Sequence, residues 1–99
     1  MDTKDYRYYV DALRQHLPEL RQKYNVKSLG VFGSFVRGEQ QDDSDLDVLV
    51  EFFDPPSLVK FVQLEEQLHQ LAGIQVDLVM ASALKLNIGK RIMREVVSV

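Results

Sequence analysis

The chain predicts an α/β sandwich in which helices lie mainly on one face of a small sheet and the other face is left open for a site. Three observations carry this expectation. Apolar residues recur at three- and four-residue spacing over residues 4–24 and again after Ser57. Short strand-like runs stand at 27–32, 45–53 and 74–79. Turn-forming residues, Asn25, Gly38, Asp54-Pro55-Pro56 and Gly73, separate the runs. Strands that alternate with helices stack in layers because each helix stripe must be buried against a sheet. The 99 residues, 45% of them hydrophobic, are read as one domain over 1–99 with a small core.

Taken in order, Tyr9, Val10, Leu13, Leu17, Leu20 and Tyr24 define the first helical stripe. Pro18 lacks a donor N–H and crowds the preceding turn, which predicts a break there and a fresh start near Leu17. Asn25 closes the segment. Lys27 to Phe32 forms the first strand, and 34–38 a short helix ending at Gly38. Glu39 to Ser44 is polar and acidic, a solvent-facing loop expected to have little internal order. Asp45 to Phe53 is the second strand, with Leu46, Val48, Val50 and Phe52 on a core face and Asp45, Asp47, Leu49 and Glu51 on the other. Ser57 caps a helix that runs to about Ala72, with Leu58, Phe61, Leu64, Leu68 and Leu71 as its stripe. After Gly73, a third strand over 74–79 turns Ile74, Val76 and Leu78 inward and Gln75, Asp77 and Val79 outward. Residues 84–97 read as a last helix, basic through Lys85, Lys90, Arg91 and Arg94.

Composition narrows the function. No apolar run approaches a membrane span and the N-terminus carries no export signal, so no membrane partner and a cytoplasmic location are expected. Without cysteine there are no disulfides and no thiolate metal sites. A net charge of −3 with no dominant basic block disfavours direct nucleic-acid binding, so chemistry on a nucleotide would proceed without a template.

The stretch Gly33 to Val50, GSFVRGEQQDDSDLDVLV, holds the chemistry. With a rise of roughly 3.3 Å per residue, Asp45 and Asp47 share a strand face about 6–7 Å apart. Paired carboxylates need a cation or a proton to coexist. Oxygen ligands of this kind suit Mg²⁺, which commonly takes one or two carboxylates plus substrate phosphates. Gly33-Ser34 is a tight strand-to-helix turn whose backbone N–H groups and Ser34 hydroxyl can receive a phosphate. Asp77 offers a third acid if its strand lies beside that of Asp45 and Asp47. The plainer account is that these acids mark strand ends facing water and that Gly33-Ser34 is an ordinary cap. Arg37 can meet the triphosphate or an acceptor, or pair with Glu39 or Asp42. The basic residues near the C-terminus fit a solvated helical face better than a phosphate site. His16 and His69 are isolated, and Tyr6, Tyr8 and Tyr9 suit packing or a partner surface equally well.

The ordered text Gly33-Ser34, ten residues, Asp45-x-Asp47 resembles the signature of the DNA polymerase beta-like nucleotidyltransferase superfamily. GSFVRG, SDLDVLVEF and the later VDLV are similar to the minimal nucleotidyltransferases, the MNT family, over roughly Val26 to Val99. Val36 stands where many relatives carry Ala, a difference expected to matter only for packing. The resemblance implies the minimal nucleotidyltransferase fold, a small mixed sheet with its active site on the open face. It implies catalysis and metal binding by Asp45, Asp47 and Asp77, with Asp77 sharing the acceptor-side metal or taking the acceptor proton. Gly33, Ser34 and Arg37 would bind the nucleotide. Two Mg²⁺ ions and ATP as substrate are implied, with AMP passing to a hydroxyl, a tyrosine on a cognate HEPN-domain ribonuclease toxin. The chain would then be the antitoxin of a type VII-like toxin–antitoxin pair and could form an oligomer with its toxin. Two other readings stand beside this one: an antitoxin that neutralises by occlusion alone, and a nucleotidyltransferase with a small-molecule acceptor. An aminoglycoside-type enzyme usually carries a further helical domain, which this chain is expected to lack unless an oligomer supplies it.

Overall fold

The computed structural model describes residues 4–84 and 86–99, with the side chains of 86–88 also outside the description; the expectation for Lys85 lies outside the described residues. Helix α1 (Tyr6–Tyr24) begins at Asp5, whose side chain accepts the Arg7 N–H, and ends at Asn25 in the left-handed region at φ 63°. It is continuous through Pro18, contrary to the predicted break. Pro18 and Arg14 are both exposed, so water can serve the carbonyl that loses its partner. The stripe on either side, Leu13, Leu17 and Leu20, stays in the core and holds the two halves in line.

Strand β1 (Val26–Phe32) leads through Gly33 into α2 (Ser34–Arg37), which stops at Gly38. Strand β2 (Leu46–Phe52) runs antiparallel to β1, and Asp45 lies just before it. Helix α3 (Leu58–Ala72) is capped by Ser57, whose side chain accepts the Lys60 N–H, and ends at Gly73. Leu64 and Leu68 are fully buried, but Leu58, expected on the stripe, is 78% exposed. It occupies the first helical position, beyond the reach of the core.

Strand β3 (Val76–Met80) pairs parallel to β2, as a strand–helix–strand crossover requires. A short 3₁₀ turn (Ala81–Ala83) then leads to α4 (Leu86–Glu95). The last helix therefore ends at Glu95, short of the expected Val97, and Val97–Ser98 forms a short strand, β4. It pairs antiparallel with β1, giving a mixed sheet in the order β3-β2-β1-β4.

Side-chain parity separates the faces. Leu29, Val31, Leu46, Val48, Val50, Val76 and Leu78 join α1 and α3 in one core. Ser28, Gly30 and Phe32 face the other way, opposite Glu51, Leu49 and Asp47. This second face is not bare throughout. The end of α4 passes over β1, where a side chain on Gly30 would collide with Val96, and Leu49 is only 6% exposed. At the β3 edge, Glu65 of α3 accepts the Leu78 N–H at 3.1 Å. No helix among the described residues is long and apolar enough to cross a membrane.

Candidate active site

Register builds the site. Phe32, the last residue of β1, stands opposite Asp47, so the turn at Gly33 emerges beside that carboxylate. On the other flank Asp47 is paired with Asp77 in parallel register. Adjacent strands are about 4.8 Å apart and in-register parallel neighbours point the same way, so these two acids stand side by side on the face away from α1 and α3. Asp45 precedes the strand and is exposed, Asp77 is exposed, and Asp47 is half-buried.

The Gly33 turn abuts the acids. Gly33 adopts φ 84°, ψ −151°, and a side chain there would overlap the Asp47 carboxylate. Only glycine permits both that backbone and that approach. Phe35 anchors α2 in the core, its ring edge-on to Tyr9 at 5.2 Å. Val36 packs against the same core, in line with a purely structural role. Tyr9 is thus a packing residue, whereas Tyr8 is half exposed.

Charge in this corner is unbalanced. Burial, then the neighbouring Asp77 and Asp45 carboxylates, push Asp47 up to about 6; Arg37 opposes the shift and Glu95 adds to it. Arg37 pairs with Glu39, its Nε donating at 3.1 Å, as the sequence allowed. Its Nη1 donates to both oxygens of Glu95, at 3.3 and 2.9 Å. Glu95 also accepts the Gly33 N–H at 2.8 Å. Sequence reasoning missed Glu95 because it lies 62 positions from Gly33 and belongs to no local motif. An acid in the last turn of a helix, where the backbone dipole favours a base, was the available signal.

The loop from Glu39 to Ser44 is more ordered than expected, because the Gln41 N–H donates to Ser44 Oγ at 2.8 Å and the Ser44 N–H returns to the Gln41 carbonyl at 3.1 Å. Lys90, Arg91 and Arg94 are exposed on α4. A cleft of about 400 Å³ lies further along β2 and β3, lined by Val50, Glu51, Phe52, Pro55, Met80, Ala81 and Ser82. None of the candidate acids borders it, and Glu51 is the one charged residue in its lining.

The acids suit a hard cation by chemistry: all donors are carboxylate oxygens, and Asp77 and Asp45 add, after burial, to the raising of Asp47. Among the described residues no three acids or histidines close into a preformed cation cage. Like charges spread apart without a counterion, and Mg²⁺ draws part of its coordination from substrate phosphates.

Residues 13–99 match the nucleotidyltransferase domain family. The chain belongs to that family. It is 55% identical over 87 residues to a protein adenylyltransferase, MntA, of Thermococcus cleftensis, covering 88% of each chain. A solved structure assigned as a minimal nucleotidyltransferase superposes with TM-score 0.80 at 30% identity over 100% of both chains. A complex of tri-AMPylated Shewanella oneidensis HEPN toxin with its MNT antitoxin contains a chain of like fold, with TM-score 0.67 at 16% identity over 93% of this chain and 69% of that one. The expected minimal nucleotidyltransferase fold is therefore the fold observed, and the nucleotidyltransferase is of the MNT type.

Proposed function

We propose that this nucleotidyltransferase moves AMP from ATP to a tyrosine hydroxyl of a HEPN-domain ribonuclease toxin and so acts as the antitoxin of the pair. The observation that carries the reading is Asp47 in register with Asp77, with Gly33 packed against the Asp47 carboxylate. An acid pair flush with a turn whose Ser34 N–H and hydroxyl have no partner among the described residues suits a magnesium-bound triphosphate. Identity to a protein adenylyltransferase supports AMP and a protein acceptor, and the exposure of Asp77 suits an acceptor brought by another chain. The net charge of −3 agrees with a reaction that needs no template.

In this reading Ser34 donates its hydroxyl and N–H to the β- or γ-phosphate, and Arg37 faces the same charge. The acceptor oxygen attacks the α-phosphorus, the bond from that phosphorus to the bridging oxygen breaks, and pyrophosphate leaves. Asp77 takes the hydroxyl proton. Mg²⁺, two ions here, would be held by Asp45, Asp47 and Asp77 and supplies charge neutralisation at the phosphates.

The test is incubation with labelled ATP, Mg²⁺ and the product of the neighbouring gene, followed by intact-mass measurement of both proteins. A gain of one or several AMP units on the neighbour, abolished by Asp47→Ala, is the expected result. Protection from the toxin by Asp45→Ala and Asp77→Ala variants, with no transfer by the parent, would instead favour occlusion.

A further inference from the structure

The geometry points to Glu95 as a positioning residue that sets the Gly33 turn and Arg37 for the triphosphate; this rests on the nucleotidyltransferase reading of the site. Glu95 sits in the last turn of α4, where the helix dipole disfavours an acid, and its side chain is only 19% exposed. A half-hidden carboxylate in such a place requires compensation, and two groups provide it. Both belong to the candidate nucleotide site: the Gly33 N–H at 2.8 Å and Arg37 Nη1 at 2.9 Å.

Each contact has a consequence for the site. The bond to Gly33 fixes the plane of the peptide that enters the turn. That turn already depends on a backbone only glycine adopts and on close contact with Asp47. The bond to Arg37 steers a long, half-exposed side chain toward the turn, and Glu39 holds its Nε from the other side. Among the described residues Arg37 Nη2 then has no hydrogen-bond partner, so one edge of the guanidinium is left to meet phosphate. Ser34 N–H and Oγ likewise keep no partner among the described residues, while Gly33 N–H is committed to Glu95. Within the turn, one amide anchors and its neighbour receives. Prepaid orientation of this kind is what supporting residues contribute to a charged site.

The test measures binding of Mg-AMP-PNP, a non-hydrolysable ATP analogue, to the full chain and to Glu95→Gln and Glu95→Ala. Each protein is kept well below its own melting temperature, so that stability alone does not move the reading. The alanine variant is expected to bind about tenfold more weakly. The glutamine variant, whose amide oxygen still accepts from Gly33, should lose less. In an Arg37→Ala background the effect of Glu95→Ala should shrink without vanishing, because one of its two contacts is already gone and the bond to Gly33 remains. Equal or tighter binding by both Glu95 variants would mean that the carboxylate competes with phosphate rather than serving it, and would overturn the inference. A loss undiminished in the Arg37→Ala background would overturn the Arg37 half of the inference and leave Glu95 acting through Gly33 alone. Either result leaves the transferase reading standing, whereas a parent that binds no Mg-AMP-PNP overturns both.

Discussion

The acid side and the turn side of this site are neighbours, yet they are held by different kinds of interaction. Asp47 and Asp77 take their places from strand register, repeated through five paired positions between β2 and β3. Gly33 and Arg37 take theirs from a short helix anchored by Phe35 and from one carboxylate that arrives from the far end of the chain. Register is shared among many backbone bonds, so a single substitution seldom shifts it. A turn held by one glycine and one acid is precise but vulnerable. The acid side should therefore respond to mutation mainly in chemistry, and the turn side in chemistry and structure together.

The largest effect should come from Asp47→Ala. Losing the central carboxylate should slow AMP transfer about 10³-fold or more, roughly 4 kcal/mol, with the fold intact by circular dichroism. Asp77→Asn should follow at about 10²-fold, the scale of a lost proton acceptor, and single-turnover rates should fall with nucleotide affinity little changed. Preserved transfer in either variant would break the assignment of the acid side.

Gly33→Ala probes the other side. Left-handed strain plus overlap with Asp47 should cost about 2 kcal/mol of stability, read as a lower melting temperature. Nucleotide binding should suffer as well. If stability fell and binding survived, the turn would be a structural hinge alone.

The smallest effect sharpens the comparison through pH. Asp47 titrates at about 6 when folded, above the usual 3.8, so its ionised form weighs against the fold. That burden is full above about pH 6 and is gone below the unfolded value, near pH 4. Asp47→Asn should therefore stabilise the metal-free protein at about pH 7.5, by about 1 kcal/mol once solvent screening of a half-exposed group is allowed for. The gain should fade as the pH is lowered through 6 toward 4 in thermal melts. Added Mg²⁺ should stabilise the parent above pH 6 more than below it, since a cation and a proton compete for the same oxygens.

The acid side was legible in the sequence because alternation is a local rule. Strand parity put Asp45 and Asp47 on one face and Asp77 on the outward face of its own strand, and the observed register places Asp47 against Asp77. Gly33 and Ser34 were legible for the same reason, as an apolar run that breaks at a turn. What escaped was non-local. Glu95 acquires meaning only when α4 folds over β1, and β4 is two residues whose pairing partner lies almost seventy positions earlier. Local rules also overstated two breaks: Pro18 is tolerated because its orphaned carbonyl lies on the wet side of α1, and the 39–44 loop organises through the Ser44 hydroxyl.

One contact at the rim of the sheet reaches beyond the chemistry. The Leu78 amide, engaged by Glu65, is withdrawn from the row of donors that an incoming strand would read, and β4 offers only two residues at the opposite rim. Edges shortened in this way resist the strand-by-strand zipping that leads to fibrils. Replacing Glu65 by an apolar residue should accordingly shorten the shelf life of concentrated solutions before it touches any catalytic rate.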